Sequence, residues 1–171
     1  MAIKVLVVDD SLVFRRMLSE FLDEDPDIEV VAMAADPYQA RDMIIRFNPD
    51  VMTLDIEMPR MNGIDFMKKL IPQHPMKVIM ISSMEHKVLD YIEYGAVDYV
   101  QKPHDMDSEE MRKWVFSELI TKVKTAYNIK YSEVKKQQVA ATPNNINRQY
   151  HNKIVAIGAS TGGTEAILAV I

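Results

Sequence analysis

Hydrophobic and polar positions alternate between two periods along the first three quarters of the chain. Ile3 to Val8 is an apolar, β-branched run that stops at Asp9-Asp10-Ser11, and the pattern then switches from strand to helix. Phe14, Met17, Leu18, Phe21 and Leu22 fall on one helical face, with Arg15, Arg16, Ser19 and Glu20 on the other. The unit repeats. Val30 to Ala34 predicts a second strand, and Asp36-Pro37 opens a helix with Ala40, Met43, Ile44 and Phe47 on its buried stripe, ended by Asn48-Pro49. Val51 to Leu54 predicts the third strand, a loop carries Met58-Pro59 and Asn62-Gly63, and Ile64 to Ile71 is a short helix stopped by Pro72. Val78 to Ile81 is the fourth strand, a weaker helix covers about Lys87 to Tyr94 with Gly95 as its cap, and Tyr99-Val100 is a short fifth strand ending at Lys102-Pro103. Asp107 or Ser108 caps a long final helix, with Met111, Val115, Leu119, Val123 and Ala126 inward.

Five strand-helix alternations require crossover connections, so the expected fold is α/β: a doubly wound, five-stranded parallel sheet with helices on both faces. From about Tyr127 to Asn152 the pattern dissolves into Lys, Gln, Asn and Thr, which predicts a linker. Ile154 to Ile157 then reads as a new strand, Gly158 to Gly163 as a glycine-rich turn, and Thr164 to Ile171 as the start of a helix. The expected domains are residues 1–126, a linker at 127–152, and at 153–171 the first piece of a second, truncated α/β domain.

Composition narrows the function. With 48% hydrophobic and 26% charged residues and a net charge of -5, the chain is an ordinary globular protein whose scattered Lys and Arg do not form a nucleic-acid surface. It has no Cys, which excludes disulfides and thiolate metal sites and is compatible with the cytoplasm. No apolar run approaches the ~20 residues of a membrane-spanning helix, so a soluble, cytoplasmic protein without membrane insertion is expected. His74, His86, His104 and His151 have no ligand spacing and read as surface residues. The thirteen methionines read as soft core packing, with Met58 and Met61 as loop contacts.

The chemistry gathers at the carboxyl ends of strands, where function collects in such sheets. Asp9-Asp10 follow the first strand, Asp55 the third, Ser82-Ser83 the fourth and Lys102 the fifth. Packed carboxylates repel unless a cation separates them, and hard oxygen ligands suit Mg²⁺. A metal would neutralise an incoming phosphoryl group and leave one carboxylate to attack phosphorus. Lys102 offers a point charge and Ser82 a hydroxyl to phosphate oxygens. Each residue alone has a bland reading, Asp-Asp-Ser as a helix N-cap above all; their joint placement does not.

Val-Leu-Val-Val-Asp9-Asp10-Ser11, Leu-Asp55-Ile-Glu-Met58-Pro59-x-Met-Asn-Gly63, Met-Ile-Ser82-Ser83 and Tyr99-Val-Gln-Lys102-Pro103 resemble the receiver domains of two-component response regulators, which have a flavodoxin-like fold. The resemblance implies Asp55 as phosphoacceptor, Asp10 as a direct metal ligand, Asp9 as a ligand through water or an electrostatic supporter, and the Glu57 backbone carbonyl as a further ligand. It also implies Ser82 as the switch hydroxyl, Tyr99 as the switch aromatic, Lys102 as the phosphate-binding lysine, and a cis Lys102-Pro103 bond. Phosphorylation would draw Ser82 inward, turn Tyr99 and alter the surface of the fourth helix, fifth strand and fifth helix.

Ile154-Val-Ala-Ile-Gly158-Ala-Ser160-Thr-Gly162-Gly163 resembles the start of the catalytic domain of chemotaxis protein-glutamate methylesterases. There Ser160 would be the nucleophile, on a turn that exposes its hydroxyl beside helix-terminal amides. As a bare pattern this turn equally fits a phosphate loop or an N-cap. A serine nucleophile needs a histidine and a carboxylate, which the 171 residues do not supply after Ser160, so this chain alone is expected to lack esterase activity. The implied partners are a chemotaxis histidine kinase, methyl-accepting chemoreceptors and the protein's own methylesterase domain, whose demethylation, and deamidation, of receptor side chains the receiver would control. A receiver that only binds partners, without catalytic output, stays open. A haloacid dehalogenase-type phosphatase, which Asp55-Ile56-Glu57 imitates, lacks an acidic pair after the first strand.

Overall fold

Five apolar runs pair into one parallel sheet in the computed structural model, which describes residues 2–83, 91–92, 94–103 and 107–129. The strands are β1 (Ile3–Val8), β2 (Ile28–Ala34), β3 (Val51–Asp55), β4 (Lys77–Ser82) and β5 (Asp98–Gln101), in the order β2-β1-β3-β4-β5. All four pairings are parallel, so every connection crosses a face of the sheet and both faces are covered. The doubly wound expectation holds, and the order reverses between β1 and β3, the switch point where such sheets place their sites.

Strand periodicity sorts the core into two. Val5, Val7, Val51, Ile79, Ile81 and Val100 pack with helix α1 (Leu12–Asp23) and the C-terminal helix. Leu6, Val8, Met52, Leu54, Val78 and Met80 pack beneath α2 (Pro37–Phe47) and α3 (Gly63–Leu70). Successive side chains point to opposite faces, which is why these strands read as continuous apolar runs.

Four helices start at a side chain that accepts a free backbone N–H. Ser11 accepts from Phe14, Asp36 from Tyr38 and Gln39, Asn62 from Asp65, and Asp107 from Glu110. Asn48 ends α2 at φ 45°. Gly95, at φ 105°, closes the preceding turn: its N–H bonds Ile92 O and the Ala96 N–H bonds Tyr91 O, a double bond pattern that needs a left-handed residue. Of the helix expected at Lys87–Tyr94, Tyr91 and Ile92 are helical and Tyr94 lies in a turn, while residues 87–90 and 93 lie outside the described residues.

Elements run slightly longer than the pattern suggested. β2 begins at Ile28, tied by its N–H to Asp25 O, and β4 extends to Ser82. Ser19, expected on the polar face of α1, is 7% exposed and donates to Arg15 O at 2.8 Å, a back-bond that lets a hydroxyl sit buried in a helix.

The final helix comprises α4 (Ser108–Trp114), a π-helical turn (Val115–Leu119) and α5 (Ile120–Asn128). The expected inward residues Met111, Val115, Leu119, Val123 and Ala126 are all buried. Repeats of four residues advance about 40° past a full α-helical turn each time; the wider π-turn absorbs that drift and keeps one stripe facing the sheet. The linker and second-domain residues from 130 onward, including Ser160, lie outside the described residues, as do His86, His104 and His151. Among the described residues no helix is long and apolar enough to cross a membrane.

Candidate functional site

The strand ends at the switch point carry the acids. Backbone pairing continues one residue past β1, β3 and β5: Asp9 N–H to Ala34 O at 3.1 Å, Ile56 N–H to Ile81 O at 3.1 Å, and Lys102 N–H to Ser82 O at 2.8 Å. Side-chain alternation therefore carries on too. Asp9 follows Val5 and Val7, Asp55 follows Val51 and Thr53, and Lys102 follows Val100, so all three emerge on the α1 side of the sheet. Ser82 follows Val78 and Met80 toward the opposite side, where Tyr99 also packs.

Lys102 Nζ lies 2.8 Å from Asp9 Oδ2 and 3.0 Å from Asp55 Oδ2, with both carboxylates 1–2% exposed. Asp10 is exposed beside them, and one oxygen from each of Asp9, Asp10 and Asp55 lies within 4.8 Å of the others. Asp9 also accepts from Ser11 N–H at 2.9 Å, and Asp55 accepts from Glu57 N–H at 3.2 Å. Ser11 is thus a helix cap and part of the acidic motif at once, so the bland reading and the functional one are both true of it.

Electrostatics show the cluster to be short of positive charge. Burial pushes the Asp9 carboxyl up from 3.8 to about 6, and the Asp55 charge adds to this while Lys102 opposes it. Burial likewise raises Asp55 above the ordinary carboxylate range, against the pull of Lys102 and the Glu57 N–H. For Lys102, burial alone would lower the pKa, but Asp9 and Asp55 outweigh it and hold the ammonium charged. One ammonium facing three carboxylates leaves room for a divalent cation. The donors are hard oxygens gathered within 4.8 Å of one another, a set whose chemistry suits Mg²⁺.

The loop after β3 is shaped to the same end. A Cβ on Gly63 would stand 2.1 Å from the Asp55 carbonyl oxygen, and the Gly63 N–H bonds Ile56 O at 2.9 Å; the chain passes too close to the acid's backbone for any side chain. Sequence reading found Asn62-Gly63 only as a turn. It also missed Arg60, at φ 71°, whose guanidinium reaches Asp36 Oδ2 at 3.3 Å. Ser83 donates to the Glu57 carboxylate. Met58 is core, 6% exposed, and Met61 packs against the same cluster.

Ser82 is fully buried as the last residue of β4, and Tyr99 is half-buried with its ring stacked on Tyr91 at 5.5 Å and 23°. One expectation is corrected: the Lys102-Pro103 bond is not cis, since no peptide bond among the described residues is. Trans is favoured at prolyl bonds by about 0.5–1 kcal/mol unless the surroundings impose the other form.

Residues 5–115 match the response regulator receiver domain family. A protein-glutamate methylesterase/protein-glutamine glutaminase of Syntrophomonas wolfei is 48% identical over 172 residues, covering 99% of this chain and 49% of that protein. The chain spans about half the length of the curated relatives it matches. Among solved structures, the response regulator domain of Thermotoga maritima CheB superposes with a TM-score of 0.69 at 40% identity, covering 76% of this chain and 99% of that one. CheY of Borrelia burgdorferi, solved with CheX, BeF3 and magnesium, gives a TM-score of 0.56 at 30% identity, covering 67% and 87%.

Proposed function

Because the chain belongs to the response regulator receiver domain family, we propose that Asp55 accepts a phosphoryl group from a histidine kinase with Mg²⁺ held at the acidic cluster. The observation that carries this is the convergence of Asp9, Asp10, Asp55 and Lys102 at one switch point. Asp10 and Asp55 would hold the metal directly, Asp9 would act through water or by its charge, and the Glu57 backbone carbonyl would add a further oxygen. The metal, when bound, offsets negative charge on the incoming group. A carboxylate oxygen of Asp55 attacks phosphorus; the phosphorus–nitrogen bond of the donor breaks, and the imidazole keeps its electron pair. Lys102 moves from Asp55 to a phosphoryl oxygen, and Ser82 and Tyr99 carry the change to the opposite side of the sheet.

The names of the relatives support a further step. We infer that the receiver controls a chemotaxis methylesterase whose nucleophile is Ser160, acting on receptor glutamate methyl esters in the cytoplasm, with glutamine deamidation as a second activity. The domain limits 1–126, 127–152 and 153–171 belong to this reading. It is tested in a longer chain that includes the length the relatives add: Ser160→Ala should abolish ester hydrolysis, and unchanged hydrolysis refutes the assignment. For the receiver itself, intact mass after incubation with acetyl phosphate and Mg²⁺ should rise by one phosphoryl group, and chelation of the metal should prevent it. A rise that ignores chelation refutes the metal's role.

A further inference from the structure

Lys102 has a third neighbour that phosphoryl transfer as described does not use. Its ammonium lies 4.6 Å from the centroid of the Phe14 ring, inside the ~6 Å over which an aromatic face attracts a cation. Phe14 is 1% exposed. Trp114 backs it, centroid to centroid 6.1 Å at 54°, and keeps its own buried indole N–H without a partner among the described residues.

The ammonium, on a side chain 13% exposed, therefore has an aromatic neighbour as well as its two carboxylates. Two N–H directions serve Asp9 and Asp55 at 2.8 and 3.0 Å, and the Phe14 ring stands within cation–π reach of the same nitrogen. The acidic motif itself sets the ring: Ser11 accepts from the Phe14 N–H at 3.3 Å, so the cap that starts α1 also aims Phe14 at the site.

We propose that Phe14 is a positioning residue, whose ring holds the Lys102 ammonium beside Asp55 by cation–π attraction. This rests on the reading of Asp55 as phosphoacceptor. A phosphoryl group arriving on Asp55 then finds the ammonium in place, and Lys102 exchanges a carboxylate oxygen for a phosphoryl oxygen without leaving the ring. A leucine there would exclude water as well but supplies no negative face, so the ammonium would draw back toward Asp9.

The test uses the full chain with Phe14→Leu and with phenylalanines carrying one, two or three ring fluorines, which weaken cation–π attraction with little change of shape. Two readouts are taken: the NMR shift of the Lys102 ε-methylene protons before phosphorylation, and the rate of phosphoryl uptake from acetyl phosphate with Mg²⁺. Expected is an upfield ring shift in the wild type that Phe14→Leu loses. Expected too is an uptake rate that falls with each fluorine, to about three- to tenfold slower with three. Absence of the ring shift in the wild type overturns the proposal. So does a flat fluorine series, even with a slow Phe14→Leu, because Phe14 would then only fill space. If the wild type takes up no phosphoryl group, the reading of Asp55 falls and this role falls with it; uptake with a flat series leaves Asp55 standing and removes Phe14 alone.

Discussion

Two lysines in this molecule each bridge two aspartates, and they do opposite things. Lys102 sits between Asp9 and Asp55 at the carboxyl end of the sheet, with carboxylates 1–2% exposed. Lys124, on α5, sits between Asp25 and Asp27 on the surface at 2.9 and 2.8 Å, with Asp27 69% exposed. The distances are nearly the same. Around Lys102 burial wins, and both carboxyls are pushed up despite the ammonium. Around Lys124 desolvation is the largest single influence on Asp25, but its hydrogen bonds to Lys124 and the Asp27 N–H and the ammonium's charge together outweigh it, and its pKa goes down. The same ion triplet is strained where it can bind a further cation and relaxed where it only ties a helix to a loop.

The largest expected difference comes from removing each lysine. Lys102→Met leaves two buried carboxylates unpaired and should cost about 3–5 kcal/mol by urea denaturation at neutral pH without Mg²⁺. Lys124→Met should leave the midpoint nearly unmoved. Equal losses would erase the distinction.

The two triplets should also respond to pH in opposite directions. Asp9 titrates at about 6 when folded against an ordinary 3.8, so the folded chain binds the proton more tightly. That stabilisation is complete below 3.8 and is lost as pH rises through about 6, amounting to about 2–3 kcal/mol. Asp25, held below its ordinary value, contributes above pH 3.8 and loses its contribution on acidification. Denaturation midpoints from pH 4 to 7 should therefore fall in the wild type and flatten in Asp9→Asn. Mg²⁺ should restore stability at pH 7 in the wild type but not in Asp10→Asn.

Gly63→Ala should cost about 1–3 kcal/mol, because its Cβ meets the Asp55 carbonyl at 2.1 Å and backbone must move; it should slow phosphoryl uptake as well. The smallest effect is on salt. Raising ionic strength should weaken the exposed Lys124 triplet and hardly touch the Lys102 one, seen as a smaller Lys124→Met difference at high salt.

Much of this was legible in the sequence because it is local. The strand runs, the caps Asp36 and Asp107, the Gly95 turn and the acids at strand ends all follow from neighbours a few residues apart. What was not legible depends on contact between distant segments. Gly63 reads as a turn glycine until β3 passes beneath it; Phe14 reads as core until Lys102 arrives from the fifth strand; the π-turn at Val115–Leu119 follows from a fit to the sheet that a spacing of four only hints at. Trans geometry at Pro103 was misjudged because it was carried over from a resemblance.

Asp55 as the acceptor is tested most directly by trapping the product where it forms. After incubation with acetyl phosphate and Mg²⁺, borohydride reduces an aspartyl phosphate to homoserine, and peptide mass spectrometry locates the converted residue. Expected is conversion at position 55 alone, dependent on Mg²⁺ and lost in Asp55→Asn. Conversion at Asp9 or Asp10, or a phosphoryl group on Ser82 or Ser83 that borohydride leaves intact, would contradict it.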